Sequence, residues 1–472
     1  MYLLLILLIL SLTPLTNGKA CLKSHYRSGF NEIRDHKQDA ERIISYATQG
    51  KFKGVTYSRL ANFTDNIGSR LCGSESLEKA VNWTRQAMLD DGLDNVHIEE
   101  VSLPHWVRGQ EYVQLLEPRQ KGLAMLGLGN SVGTGPNGIT ANVLVVQTFD
   151  ELEQQCSKAK DKIVVYNSYC DWSLQPLQCY GVTVQYRSQG ASRAAKCGAL
   201  AALVKSAASF SIYSPHTGMM SYDPSINKIP AAALSIEDAE MLWRFQQRGQ
   251  MTKVKLYMEA QTLPNVVGHN VVAEIKGSTY PEQTVLVSGH LDSWDVGQGA
   301  MDDGGGAFIS WSVLSILRQL NLRPKRTVRC VLWSCEEFGG VGAEQYFEQH
   351  RQELEQMDLV LESDLGVFHP LGLEFAGNAQ AFEIMQSIGE QLLVEINATQ
   401  VVKGDGGTDI GPWMDNGVPG GSLLNENEKY FMFHHSNGDT MTVLNSTDMD
   451  LAAAVWTVHA YVVADLDDML PR

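Results

Sequence analysis

The sequence has no surplus of positive charge. Its 37 Lys and Arg stand against 54 Asp and Glu, for a net charge of −17. That balance argues against a nucleic-acid backbone as partner, because proteins that neutralise phosphates carry a basic footprint. Cysteine is sparse, with eight in 472 residues, which is thin for a disulfide scaffold. No two of them form a C-x-x-C pair, so a thiolate zinc knuckle has no support. Past the N-terminus no run reaches the ~18 apolar residues that crossing a bilayer requires. Internal repeats and low-complexity tracts are absent. Ser288 and Ser334 lack the G-x-S-x-G setting of a nucleophile elbow, which disfavours a serine hydrolase. The glycines at 297–299 and 304–306 resemble phosphate loops only superficially, since no Walker or dinucleotide pattern follows a strand there.

What is present begins with export. Residues 1–13 form an apolar run of signal-peptide length, followed by Pro14 and the small residues Asn17, Gly18 and Ala20. A signal peptide is expected over 1–20. Four N-x-T sequons start at Asn62, Asn82, Asn397 and Asn445, in keeping with an exported glycoprotein. Cys170 and Cys179 bracket an irregular stretch and are the expected disulfide. Cys330 and Cys335 lie on one expected strand with side chains to opposite faces, so they are not expected to bridge.

Residues 21–50 are polar and helix-prone, and read either as a pro-segment or as the first helix. A helix from Gly73-Ser74 to Asp91-Gly92 and a strand over 96–101 follow. Between 111 and 265 the texture changes to short strands, at 142–148, 162–166, 199–204 and 253–258, and one strong helix at 188–196. This segment reads as an inserted smaller domain without an acid–base constellation of its own. From 266 the pattern returns to strands at 284–288, 327–333 and 358–362, alternating with helices at 304–320 and 342–355. The expected fold class is α/β: a mostly parallel mixed sheet covered by helices on both faces. Residues 51–110 and 266–472 build it, and 111–265 is inserted.

The chemistry sits where these strands stop. The first ends Ser-Gly-His290-Leu-Asp292, the second Ser-Cys-Glu336-Glu337, and the third Glu362-Ser-Asp364. In open α/β sheets ligands gather at the carboxyl ends of the strands, so these groups should meet at one edge. Two loops add Met301-Asp302-Asp303-Gly-Gly-Gly306 and His434-His435-Ser-Asn-Gly-Asp439. Imidazole and carboxylate are the ligands zinc takes when thiolate is absent. Two zinc ions in one site share a carboxylate, and Asp302, flanked by glycine, is the natural bridge. His290 would serve one ion and His434 the other, with Glu337 and Asp364 divided between them. Asp292 is placed to hold the other ring nitrogen of His290. Glu336, beside a ligand but aimed elsewhere, is the candidate general base that takes the proton of the attacking water.

Taken singly, each feature has an ordinary reading. A strand-end histidine is usually structural, Asp302-Asp303 before glycine is usually a helix cap, Glu336-Glu337 is usually a solvated pair, and Trp294 and Trp333 are usually packing. Their joint occurrence in this order is what favours a metal centre. These motifs resemble those of the co-catalytic zinc peptidases of family M28. The resemblance implies a zinc-exopeptidase fold with a protease-associated-like insertion. It implies ligands His290, Asp302, Glu337, Asp364 and His434, with Glu336 as base and two zinc ions per chain. It further implies hydrolysis of dipeptides or short peptides with free termini, a homodimer, and a secreted or lysosomal location. From the acidic charge and the lack of a spanning run, neither a nucleic-acid nor a membrane partner is expected. Alternatives from other classes are an inactive peptidase-like binding ectodomain and a hydrolase of a non-peptide amide.

Overall fold

The computed structural model describes residues 32–173 and 176–472. The expected signal peptide over 1–20 and the first part of 21–50 lie outside the described residues. One eight-stranded sheet carries the ligand motifs. Its strands are β1 (Asp94–Val107), β2 (Gln261–Ile275), β3 (Tyr280–His290), β4 (Arg326–Trp333), β5 (Met357–Glu362), β6 (Pro370–Ala376), β7 (Gln400–Lys403) and β8 (Gly420–Asn425). The order across the sheet is β1-β2-β4-β3-β5-β8-β6-β7. β4, β3, β5 and β8 run parallel to one another, while β1 with β2, β2 with β4, and β6 with β8 pair antiparallel.

The central strands are apolar on both faces because both faces are covered. Val285, Val287, Cys330, Leu332, Leu359 and Leu361 point into one core. That core is roofed by α1 (Lys37–Thr48), α2 (Val55–Ile67), α4 (Gly305–Leu320) and α7 (Ser446–Asp465). Their alternates Leu286, Val331, Trp333 and Val360 point the other way, onto α5 (Val341–His350) and Trp413. α4 is buried from Gly305 to Leu317, and α7 from Met449 to Ala464 apart from the partly exposed Leu451. Ser74 caps α3 (Glu75–Asp90) by accepting the Leu77 N–H at 3.2 Å. The described part of 21–50 is helical: Ala40, Ile43, Ile44 and Ala47 of α1 are buried, and α1 packs on α7. α6 (Ala379–Leu392) covers β6 and β7.

A second eight-stranded sheet is drawn entirely from residues 111–258. Its parallel centre is Ile139–Val146, Ile163–Tyr166, Ala201–Lys205 and Ala231–Leu234. β1 and β2 carry the chain out to this sheet and back, paired along their length to Val107↔Gln261. The helix expected at 188–196 runs instead over Pro176–Lys196. Its buried positions Cys179, Thr183, Tyr186, Gly190 and Ala194 repeat at helical spacing well before 188. The helix expected at 342–355 stops as an α-helix at His350 and continues as a 3₁₀ turn, Arg351–Gln356, in which no side chain is buried. Among the described residues three disulfides form: Cys170–Cys179, as expected, with Cys156–Cys197 and Cys72–Cys335. Cys330 is buried and unpaired.

Candidate metal centre

Three neighbouring parallel strands deliver their carboxyl ends to one place. His290 ends β3 opposite Trp333 of β4, and Ser288 stands opposite Glu362 of β5. One short turn past β4 lie Glu336 and Glu337, and two residues past β5 lies Asp364. The turn after β4 starts at Cys335, whose φ of 70° is in the left-handed region and whose sulfur is bonded to Cys72. The start of α4 comes so close to β3 that a Cβ at Gly289 would lie 2.5 Å from the Ala307 nitrogen.

The two adjacent aspartates before α4 divide the labour. Asp303 caps the helix, accepting the Gly306 N–H at 3.0 Å, and also accepts the His290 N–H at 3.0 Å. Asp302 turns into the site. Its Oδ1 is 3.3 Å from His290 Nε2, and its Oδ2 is 3.3 Å from His435 Nε2 and 3.6 Å from His434 Nε2. His290 Nε2 also lies 3.3 Å from Asp364 Oδ1, and His435 Nε2 lies 2.9 Å from Glu337 Oε2. Ligand atoms therefore fall into two groups that share Asp302: His290, Asp302 and Asp364, and Asp302, His434 and His435.

Bracing groups surround this set. Asp292 lies against His290 Nδ1, with its carbonyl at 3.1 Å and its carboxylate at 3.5 Å. The same carboxylate accepts the N–H groups of Glu336 and Glu337, at 3.1 and 3.3 Å. Asp439 accepts the N–H groups of Ala300, Met301 and Asp302, pinning the loop that presents the shared carboxylate. The buried Arg70 guanidinium donates to the carbonyls of Gly68, Leu291, Gln298 and Gly299. Burial draws its pKa down to about 10, so it remains a cation facing Asp439, Asp292, Asp303 and Asp302.

The donor set fits a metal. His290 Nε2, Asp302 Oδ2, Glu337 Oε1 and Asp364 Oδ1 are buried without a hydrogen-bond partner, which is costly for polar atoms unless something else meets them. Burial and mutual repulsion push Glu337 up to about 7 and Glu362 to about 8, and raise Glu336 well above the usual carboxylate range. Divalent cations would offset that repulsion.

All the residues singled out in the sequence reach this edge: His290, Asp292, Asp302, Glu336, Glu337, Asp364 and His434. Sequence reasoning assigned no role to His435, which approaches both Asp302 and Glu337 more closely than its neighbour does. It also passed over Arg70 and the second buried carboxylate pair, Glu362 and Asp409, where Glu362 Oε2 accepts the Asp409 N–H at 2.9 Å. The doubled histidine was the one available signal for His435, and Glu362 stood in the strand-end motif with Asp364; nothing local marks Arg70 or Asp409. Trp294 and Trp333 are buried, Trp294 packing on Phe338 and His435 and Trp333 on Tyr346.

Known proteins resemble this chain along nearly its whole length. The chain is 52% identical to carboxypeptidase Q of Mus musculus over 471 residues, 99% of this chain and 98% of the other. The chain belongs to peptidase family M28. The model of that family matches residues 270–460, from β2 into α7. Carboxypeptidase Q of Homo sapiens is 53% identical over 466 residues, covering 98% of this chain and 97% of that one. Among solved structures, the peptidase M28 precursor from Shewanella amazonensis SB2B is 30% identical, with a TM-score of 0.87 over 93% of this chain and 99% of that one. BSAP, a zinc aminopeptidase from Bacillus subtilis, shares the fold at a TM-score of 0.65 and 17% identity, over 87% of this chain and 94% of that one. This M28 protein is a zinc exopeptidase.

Proposed function

We propose that this M28 peptidase hydrolyses dipeptides and short peptides with free termini, using two zinc ions per chain and Glu336 as general base. The observation that carries the reading is Asp302, a buried carboxylate placed between two separate groups of ligand atoms. His290, Asp302 and Asp364 would hold one ion. Asp302, Glu337 and His435 would hold the other, with the His434 ring stacked on His435 at a centroid distance of 3.5 Å. The motif pointed to His434; the shorter approaches of His435 favour the second of the pair. When bound, the zinc ions supply Lewis acidity that acidifies water and polarises the scissile carbonyl.

The chain's own residues do the rest. Glu336 projects beside the ligands, half-buried, from a backbone that the Asp292 carboxylate holds. It takes the proton of the attacking water and hands it to the departing amine. Asp292 and Asp439 keep His290 and Asp302 from rotating away. Trp294, Glu337 and His435 wall a small cavity beside Asp302.

We further propose that the enzyme is secreted or lysosomal. The reading is supported by three disulfides and by the exposure of Asn62, Asn82, Asn397 and Asn445. No helix of the described residues is long and apolar enough to cross a membrane. The homodimer, and the identity of 111–265 as a protease-associated-like domain, rest on the family resemblance. The decisive experiment measures zinc per chain together with dipeptide hydrolysis. Two zinc ions and hydrolysis that a chelator abolishes and zinc restores are expected. One zinc ion with hydrolysis of acylated amines but not of dipeptides would overturn the reading in favour of a non-peptide amidase. His435→Ala should cost more zinc than His434→Ala in the same assay.

A further inference from the structure

Three contacts tie the second sheet's loops to the His434–His435 segment, more than 200 residues away in sequence. Thr217 N–H donates to the His435 carbonyl at 2.9 Å. His216 Nδ1 meets the His434 carbonyl at 2.5 Å. The Thr217 carbonyl faces His435 Nδ1 at 3.3 Å. That last contact lies on the side of the ring opposite Asp302 and Glu337.

The Thr217 carbonyl has a second donor. Arg187 Nη1, on the helix Pro176–Lys196, reaches it at 3.3 Å, while Nη2 donates to Tyr180 Oη at 2.9 Å. Arg187 has no carboxylate within ion-pair distance among the described residues, and its Nε is buried without a partner. Its guanidinium lies flat on Gly218, where φ is 141° and any Cβ would strike the guanidinium. The segment itself is anchored in its own sheet. His216 N–H donates to Ser206 Oγ at 2.8 Å, Thr217 Oγ1 donates to the Gly127 carbonyl at 2.7 Å, and Gly129 N–H donates to the Gly218 carbonyl at 3.0 Å.

We propose that Arg187, with Thr217 and Gly218, is a positioning group through which the second sheet orients His435 as an Nε2 metal ligand. His435 Nδ1 has two polar neighbours, the Thr217 carbonyl at 3.3 Å and Arg187 Nη1 at 3.5 Å. A guanidinium cannot accept, so the nearer of the two, the carbonyl, is the acceptor for an Nδ1–H. A ring that donates from Nδ1 presents the Nε2 lone pair to Asp302 and Glu337, the arrangement of a metal-binding histidine with its outer partner. Arg187 and Gly218 keep that carbonyl in place. The inserted segment is then a working part of the metal centre, not a cover over it. This inference rests on the two-zinc reading above.

The test titrates the zinc-loaded full chain against a graded chelator. It compares wild type, His435→Ala, Arg187→Ala, Arg187→Lys and Gly218→Ala, and records the imidazole ¹⁵N spectrum of His435. Wild type should hold two zinc ions, and His435→Ala should lose one. Arg187→Ala and Gly218→Ala should keep one ion at wild-type affinity and hold the other about 10- to 100-fold more weakly. Arg187→Lys should recover part of the loss. The spectrum should report Nδ1–H in wild type and a mixture of ring forms in Arg187→Ala. Wild-type retention of both ions in Arg187→Ala and Gly218→Ala, while His435→Ala loses one, would overturn this inference alone. Equal weakening of both ions, with a lowered melting temperature of the zinc-free protein, would reduce Arg187 to a general structural role and also overturn it. A wild type with fewer than two ions would instead sink the two-zinc reading, whereas a His435→Ala that keeps both would strike His435 from the ligands and overturn this inference.

Discussion

Both sheets have eight strands and a parallel centre, yet among the described residues only one gathers histidines and carboxylates at its carboxyl edge. In the first sheet the central strands run out into His290, Glu336-Glu337 and Asp364. In the second, the corresponding positions are Gln147, Asn167, Ser206 and Ser235. Topology makes the edge available in both; residue type decides whether it does chemistry. Imidazole and carboxylate can hold a cation, whereas the hydroxyls at this edge hold backbone. Ser206 Oγ donates to the Leu234 carbonyl and accepts the His216 N–H, and Ser235 caps the helix Ile236–Gln247. The polar edge of the second sheet therefore shapes loops, and one of those loops meets His434 and His435.

Removing the shared carboxylate tests this contrast most severely. Asp302→Ala should release zinc and reduce dipeptide hydrolysis to the level of the zinc-free protein, read by metal analysis beside the assay. Unchanged zinc content would remove the bridge from the account. Next in size, Glu336→Gln should keep its zinc and lose about 10²- to 10⁴-fold in kcat, because the ligands stay and the base is gone. A variant with near wild-type turnover would mean that another group takes the proton.

The second sheet should answer differently. Asn167 is buried at a strand end, and neither of its amide atoms has a partner. Asn167→Asp should bind no additional zinc and should destabilise the protein by about 2–4 kcal/mol, because it buries a lone carboxylate. Gain of a third zinc ion would break the contrast, since a single carboxylate at this edge would then suffice.

The smallest effect concerns a network far from either edge. Burial works against its charge, yet Glu353 and Glu99 hold the His350 imidazole up at about 9. Against the same burial, His350 holds Glu99 and Glu353 down at about 2. A raised histidine stabilises fully below its unfolded value of 6.5, and that contribution is lost as pH rises through about 9. Lowered glutamates stabilise fully above 4.5, and theirs is lost as pH falls through about 2. The network is complete only between these limits, in mildly acidic solution. Allowing for partial exposure, it contributes about 1–2 kcal/mol. The melting-temperature gap between wild type and His350→Ala should be wider near pH ~5.5 than near pH ~10. A gap that widens with alkalinity would reverse the sign of the argument.

Much of the first sheet was legible before any coordinates. Apolar runs bounded by turn residues marked β3, β4 and β5 to within a few residues, and Ser74 marked the start of α3. Such signals are local: a cap, a period, a run of branched side chains. The helix Pro176–Lys196 was read too short because its buried stripe before 188 includes Thr183, which does not look apolar. Gly190 is buried because Tyr166 packs against it, and Tyr166 lies on a strand that sequence periodicity cannot associate with this helix. The Cys72–Cys335 pair, 263 residues apart, was beyond reach for the same reason.

By itself the sequence determined the ligand chemistry and the strand ends that would carry it, because both follow from residue type and short-range pattern. Only the tertiary structure decided the rest: that Asp302 turns toward the histidines while Asp303 caps α4, that His435 comes nearer than His434, and that Arg70, Asp439 and Thr217 contact the segments around them. Each of those outcomes is a contact between segments far apart in the chain. Its geometry depends on how two sheets and their loops pack, and no local pattern encodes that distance.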